Sequence, residues 1–169
     1  NNKTITRTRY TYDGYNRLST VSVDLSVDDN NIVDGRVYTT TYLYAGSSKL
    51  VSSISQTDGS LLQIGYDGAN RVASVTETVE QGVTRTTTFA YGGGYTNITD
   101  AQGNVTTMYF DGAGQLTTLV EPAATAGGNP KITDFVLNWA GDFTYTAQFD
   151  GWSARSADNA LTRTWYRYD

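Results

Sequence analysis

Three aspartates recur in the same local setting and are the first candidates for chemistry. Asp13, Asp67 and Asp111 each follow an aromatic residue and precede a glycine. Carboxylates can act as general acids and bases or as metal ligands. A catalytic pair is a single arrangement, however, whereas these aspartates repeat in register with their neighbours. We therefore interpret each one as a cap bonded to its own turn, and we predict no catalytic, cofactor-binding or metal-binding residue.

An acidic, turn-rich segment is a second candidate. Its oxygen-bearing side chains are Asp24, Asp28, Asp29, Asn30, Asn31 and Asp34. Hard oxygen ligands at close spacing can bind Ca²⁺. The spacing matches neither an EF-hand loop nor the glycine-rich nonapeptide repeat. A solvated hairpin loop is therefore the better interpretation.

The 13 tyrosines are a third candidate. Exposed aromatic rings can stack on sugars, so a row of them would suit carbohydrate binding. Their fixed place at the ends of predicted strands favours stacking on one another instead, with each cross-strand pair contributing roughly 0.2–1 kcal/mol.

Composition narrows the remaining chemistry. The 169 residues include no Cys and no His, and the net charge is −5. Thiol chemistry and disulfides are therefore excluded, and the commonest general base and transition-metal ligand is missing. The negative charge argues against nucleic-acid binding, which usually needs a basic stripe. No apolar run is long enough for a membrane span.

The residues around the aspartates alternate as β-strands do. Tyr38, Thr40, Tyr42 and Tyr44 illustrate the pattern, with Thr or Tyr at every second position. Such alternation predicts strands, and an Asp-Gly core followed by Asn or Gly predicts a turn. Each motif should join the strands of a β-hairpin through a loop of four or five residues. Self-similar hairpins predict a repeat array of about ten to fourteen short antiparallel strands.

The motif has three clear copies, weaker copies at residues 44–50, 89–94 and 149–151, and a second turn class between the copies. The residues given a structural role in it are Tyr12, Asp13, Gly14, Arg17 and Leu18; Tyr44, Gly46 and Leu50; Tyr66, Asp67, Gly68, Arg71 and Val72; and Phe110, Asp111, Gly112 and Leu116. The second turn class recurs between copies, at residues 57–60, 80–82 and 99–104.

These residues resemble the YD repeats of the Rhs (rearrangement hot spot) and Tc-toxin family, whose pattern is roughly Tyr-x-Tyr-Asp-x-x-Gly-Arg-Leu. Residues 10–18 and 66–72 match it closely. The chain departs from it where Asn16 and Asn70 replace glycine and Gln115 replaces arginine. Teneurins also carry repeats similar to this pattern.

The resemblance implies an all-β fold, in which an antiparallel β-hairpin array forms a curved, open sheet segment of a larger β-shell. We expect the YD-repeat array to span residues 1–120 and a loop with both prolines to span 121–131. Residues 132–169 then form further atypical repeats, truncated at the C-terminus. All three tryptophans lie in that last stretch, which should pack differently.

By the same resemblance, the chain is a non-enzymatic segment of a secreted or cell-surface bacterial shell that encloses a toxin or effector polypeptide. Its partners would be neighbouring repeats of a longer parent chain and the enclosed polypeptide. Two alternatives stay open: an extracellular adhesion or carbohydrate-binding module, and a β-structured glycan-active enzyme. Edge strands near residues 4–12 and 162–168 are also expected to self-associate weakly.

Overall fold

A computed structural model shows a protein built almost entirely of β-strands. It describes residues 8–26, 35–80, 82–138, 140–152, 155 and 159–167. These residues form 13 strands and no α-helix, which confirms the predicted all-β class and strand number. The predictions that concern residues 1–7, 27–34, 81, 139 and 168–169 lie outside the described residues.

The strands follow one another in the sheet in the order of the chain. They are β1 (Thr8–Tyr12), β2 (Leu18–Asp24), β3 (Val37–Tyr44), β4 (Val51–Gln56), β5 (Leu61–Tyr66), β6 (Val72–Glu80), β7 (Val83–Tyr91), β8 (Tyr95–Thr99), β9 (Val105–Phe110), β10 (Leu116–Glu121), β11 (Lys131–Leu137), β12 (Phe143–Asp150) and β13 (Thr162–Trp165). Within the described ranges they make one antiparallel sheet, with β1 and β13 at its two ends. The sheet is therefore open and has no crossover connection. Chain contacts divide the protein into unit 1, residues 1–86, and unit 2, residues 87–169.

One face of the sheet in unit 1 carries mostly aromatic and aliphatic side chains, and the strand register places Thr40 and Gln56 among them. Residues directly opposite in an antiparallel pair project to the same side of the sheet. We call this side the aromatic face; the pairs that define it are Tyr10 with Val21, Tyr42 with Ile54, and Ile64 with Val75.

The opposite face of unit 1 carries paired hydroxyl groups, and we call it the hydroxyl face. The side-chain oxygens of Thr11 and Thr20 lie 2.6 Å apart, and those of Ser22 and Thr39 lie 2.9 Å apart. The hydroxyls of Thr76 and Thr86 are also 2.9 Å apart. The alternation of apolar and hydroxyl side chains along each strand thus produces two chemically distinct surfaces.

The buried hydrophobic side chains among the described residues all lie in unit 2. They are Val120, Ile132, Ala147 and Phe149, and Ile132 is 0% exposed. Val120, Ile132 and Phe149 lie opposite one another on three adjacent strands. Ala160, in the connection between β12 and β13, packs against this cluster. Ala160 therefore covers part of the cluster.

The predicted loop at 121–131 is bounded by a strand pair. Glu121 ends β10 and Lys131 begins β11, where the two residues lie opposite each other. Their side chains form an ion pair at 3.0 Å. Residues 122–130, which include both prolines, connect the strands.

Candidate functional site

The three predicted aspartates open turns with the same backbone pattern. In the first turn, the N–H of Asp13 donates to the Arg17 carbonyl at 2.9 Å, and the N–H of Asn16 donates to the Asp13 carbonyl at 2.9 Å. The equivalent bonds run from Asp67 to Arg71 and Asn70 to Asp67, and from Asp111 to Gln115 and Gly114 to Asp111. The closing bond encloses three residues, as in hairpins that combine a type I turn with a left-handed residue.

Each aspartate side chain completes its turn by accepting two backbone hydrogen bonds. Asp13 Oδ1 accepts from the N–H groups of Tyr15 at 2.9 Å and Arg17 at 3.0 Å. The corresponding acceptors and donors are Asp67 with Ala69 and Arg71, and Asp111 with Ala113 and Gln115. These N–H groups have no strand partner inside the turn, so the carboxylate replaces water there.

The left-handed residue of the turn is not the glycine that follows the aspartate. Positive φ angles occur three residues after the aspartate, at Asn16 (58°), Asn70 (61°) and Gly114 (80°). Asparagine and glycine tolerate this region at the lowest cost. The fourth position of the turn, counted from the aspartate, is therefore the one with the backbone constraint.

In each of the first two turns, the arginine of the motif binds the aspartate side chain. Arg17 Nε donates to Asp13 Oδ2 at 2.7 Å, and Arg71 Nε donates to Asp67 Oδ2 at 2.8 Å. Because of the side-chain bond from Arg17, the pKa of Asp13 is lowered. The backbone and side-chain bonds from Arg71 likewise lower the pKa of Asp67. Gln115 takes the arginine's place in the third turn and carries no charge for such a pair.

Two further turns have the same geometry. Asp100 Oδ1 accepts from the N–H groups of Gln102 at 2.9 Å and Asn104 at 2.8 Å, and side-chain bonding by Asn104 lowers the Asp100 pKa. The sequence places residues 99–104 in the second turn class, but the turn at Asp100 has the same capping bonds as the motif turns. In the other of the two turns, Asn138 Oδ1 accepts from Ala140 at 2.8 Å and Asp142 at 3.0 Å.

Successive hairpins are joined by tyrosine hydroxyls at the motif's aromatic position. Tyr44 Oη donates to the carbonyl of Leu18 at 2.7 Å, and Tyr66 Oη donates to the carbonyl of Val51 at 2.8 Å. In both cases the acceptor lies just after the turn of the preceding hairpin. Phe110 occupies this position in the third clear copy and has no hydroxyl. We call the Tyr44 and Tyr66 bonds the tyrosine staples.

Arg17 makes a second connection between the first two hairpins. Its Nη1 donates to the carbonyls of Gly46, at 2.9 Å, and Ser48. Its guanidinium carbon also lies 4.3 Å from the centre of the Tyr44 ring, within cation–π range. One arginine therefore stabilises its own turn and the next one.

The described residues include only the first part of the acidic segment. Asp24 is buried, and its Oδ1 accepts from the Ser26 N–H at 2.8 Å and the Ser26 hydroxyl at 2.7 Å. Residues 27–34 lie outside the described ranges. Within those ranges no group of three or more Asp or Glu side chains is placed to hold a metal ion, and no helix is long and apolar enough to cross a membrane.

Together, the consecutive hairpins and the Asp-capped turns define a β-hairpin repeat protein. The sequence model of the RHS Repeat family matches residues 96–126, a stretch that contains β9, the turn at Asp111 and β10. No curated protein matches the chain. The match over this stretch supports assignment of the chain to the Rhs/YD-repeat family.

Proposed function

We propose that this chain is a segment of the wall of a Rhs/Tc-type YD-repeat shell, which encloses a toxin or effector polypeptide and has no catalytic role of its own. The observation that carries the proposal is the tyrosine staple. Tyr44 and Tyr66 each bind the hairpin before their own, so the motif's first residue serves to hold neighbouring repeats together. A long array of such repeats suits a continuous wall.

The aromatic face of unit 1 supports this assignment. Tyr42, Ile54 and Leu62 are only half-buried, and none of the buried hydrophobic side chains of the described chain lies in unit 1. A sheet face that is mostly apolar normally packs against a second layer. An enclosed polypeptide in contact with the wall would supply that layer, and the mechanism of the wall would be steric isolation of the cargo.

The partners of the chain would then be neighbouring YD repeats on each side and the enclosed polypeptide. A shell of this kind works outside the cell that makes it, so we place the protein among secreted or cell-surface proteins. The Asp-capped turns have a structural role in this account, because their side chains fix the geometry of each hairpin.

A protease-protection experiment on the parent protein tests the proposal. The gene that encodes this chain is expressed in full, and the product is treated with proteinase K before and after opening in mild denaturant. We expect one segment of the product to resist digestion until the shell opens. If every segment outside residues 8–165 is digested at the same rate in the native protein, the enclosure proposal is wrong.

An adhesion module is the second candidate, and one observation favours it. Tyr10, Tyr12 and Tyr15 are 57%, 61% and 65% exposed, so several aromatic rings near one sheet edge face solvent. Such rings are available to stack on a glycan. Binding of the parent protein to cells without any protected segment would support adhesion over enclosure.

A further inference from the structure

Among the connections that the structure describes throughout, the one between β10 and β11 is the longest. It spans residues 122–130 and reads Pro-Ala-Ala-Thr-Ala-Gly-Gly-Asn-Pro. Residues 124–129 are all exposed. Exposed loop tips with small residues are the preferred sites of proteolytic nicking. The 122–130 connection is therefore a candidate site for cleavage by a protease.

The tip of this connection is held by little backbone hydrogen bonding. Across residues 123–128, all of which the structure describes, the backbone–backbone hydrogen bond is the one from the Gly128 N–H to the Thr125 carbonyl, at 3.0 Å. A folded chain is cut where the segment around the scissile bond opens, so cleavage follows the free energy of local opening. Because this tip has one turn bond to lose, its opening should cost little.

Both ends of the connection are fixed, so opening can remain local. At the C-terminal end, the Gly151 N–H donates to the Pro130 carbonyl at 2.8 Å. At the strand ends, Glu121 and Lys131 lie opposite each other and form an ion pair at 3.0 Å. The exposed stretch between these anchors, residues 124–127, is thus the part that can enter a protease active site.

The side chains of this stretch decide which class of protease fits. Serine proteases select the residue before the scissile bond through their S1 pocket, and the small pocket of elastase suits small residues. Ala124 and Ala126 are residues of that kind. Residues 122–130 include no basic and no aromatic residue, so a trypsin-like or chymotrypsin-like enzyme finds no suitable side chain there.

The hydrophobic core joins the two sides of the connection. Val120 on β10 lies opposite Ile132 on β11, and Ile132 lies opposite Phe149 on β12. All three side chains are buried, and Ile132 is 0% exposed. A cut between β10 and β11 leaves these contacts and the strand pairing in place. The two parts of a cut chain should therefore stay together.

We propose that the 122–130 connection is a processing site for a serine protease with a small S1 pocket, which cuts after Ala124 or Ala126. One water hydrolyses the peptide C–N bond, leaving a carboxylate on the alanine and an amine on the residue that follows. The product is a two-chain protein whose strands remain paired. The site does not depend on the enclosure proposal, because it follows from the local geometry of one connection.

Limited digestion of the full chain with pancreatic elastase tests the site, with fragments assigned by mass spectrometry. Ala69 and Ala113 serve as internal controls, because both are exposed alanines in Asp-capped turns. Their N–H groups donate to the capping aspartates at 2.8 Å and 2.9 Å, so these turns must break capping bonds to open. We expect cleavage after Ala124 or Ala126 to be at least about tenfold faster than after Ala69 or Ala113.

A double variant tests the choice of protease class. Ala124→Asp with Ala126→Asp should slow cleavage of the connection at least about tenfold, because a carboxylate does not suit a small apolar S1 pocket. Ala69→Asp with Ala113→Asp is the matched control and should leave that rate within about twofold, since both positions are exposed and lie outside the connection. Far-UV circular dichroism on each variant establishes that it is folded.

Native size-exclusion chromatography then shows whether the nicked chain stays together. We expect one peak at the elution volume of the uncut chain, and two fragments only after denaturation. The proposal is overturned if cleavage after Ala69 or Ala113 is as fast as cleavage in the connection, if the double variant at 124 and 126 is cut there at an unchanged rate, or if the fragments separate on nicking.

Discussion

Removing the hydroxyl of Tyr44 tests the tyrosine staple directly. Tyr44→Phe keeps the ring above which Arg17 lies and deletes the 2.7 Å bond to the Leu18 carbonyl. A net intramolecular hydrogen bond contributes about 0.5–1.5 kcal/mol. Tyr44 and Leu18 are both half-buried, so water can solvate the freed carbonyl in part. We expect a loss of about 1 kcal/mol, or about 2–4 °C in Tm for a chain of this size.

The assay has to report on unit 1. All three tryptophans follow residue 138 in the sequence, so tryptophan fluorescence monitors unit 2. Urea unfolding followed by far-UV circular dichroism measures the whole chain. Hydrogen exchange then locates the effect, because the N–H groups of Ala45 and Ser48 close the turn beside Tyr44 and should exchange faster in the variant.

Tyr12→Phe is the control for this prediction. Tyr12 occupies the same motif position but is 61% exposed, and exposed substitutions usually change stability by less than about 0.5 kcal/mol. The reasoning is refuted if Tyr44→Phe is neutral, or if Tyr12→Phe is as destabilising as Tyr44→Phe.

Three further predictions concern the turns and the core. Gly114→Ala should destabilise the chain by about 1–2 kcal/mol because φ is 80° there. Gly112→Ala, which meets no atom within 4 Å and lacks a positive φ, should be neutral or stabilising by up to about 1 kcal/mol; thermal melts compare the two. The lowered pKa values of Asp13 and Asp67 contribute stability above their ordinary value of 3.8, and this stability is lost as pH falls through the lower folded-state values. Urea midpoints measured between pH 7 and pH 2 should therefore fall at the acid end, and Asp→Asn at both positions should flatten that fall. Ile132→Ala should cost about 2–5 kcal/mol, since Ile132 is fully buried, measured by urea unfolding with tryptophan fluorescence.

Each of these outcomes has a clear contrary result. Equal effects of the two glycine substitutions would mean that φ does not constrain the fourth position of the turn. An acid limb unchanged in the double Asp→Asn variant would mean that the aspartates bind protons alike in the folded and unfolded chain. For the core, Val23→Ala is the comparison, because Val23 is 40% exposed; a loss as large as that of Ile132→Ala would contradict the placement of the core.

The strands and turns could be predicted because local chemistry dictates them. Alternating Thr and Tyr at 38–44 fits a pleated surface, and an aspartate three residues before Asn16 or Gly114 fits the cap and the left-handed position. The turn at 138–142 follows the same rule, with Asn in place of Asp and Gly three residues later. The spacing of Asn138 and Gly141 is the sequence pattern that indicates this turn.

The contacts between elements were not predictable, since they depend on register. The Tyr44 hydroxyl meets the Leu18 carbonyl only because β2 and β3 pair with a particular offset. The core at Ile132 likewise depends on the register of β10, β11 and β12 and on the packing of Ala160 against it. No local pattern in the sequence encodes that contact.

Electron cryomicroscopy of the full-length protein that contains this chain tests the central claim most directly. The enclosure account predicts a hollow β-walled particle, with strands β1 to β13 running as consecutive hairpins in its wall and polypeptide density inside. The tyrosine staples should recur between neighbouring hairpins along that wall. An extended rod or a particle without an internal cavity would contradict the account.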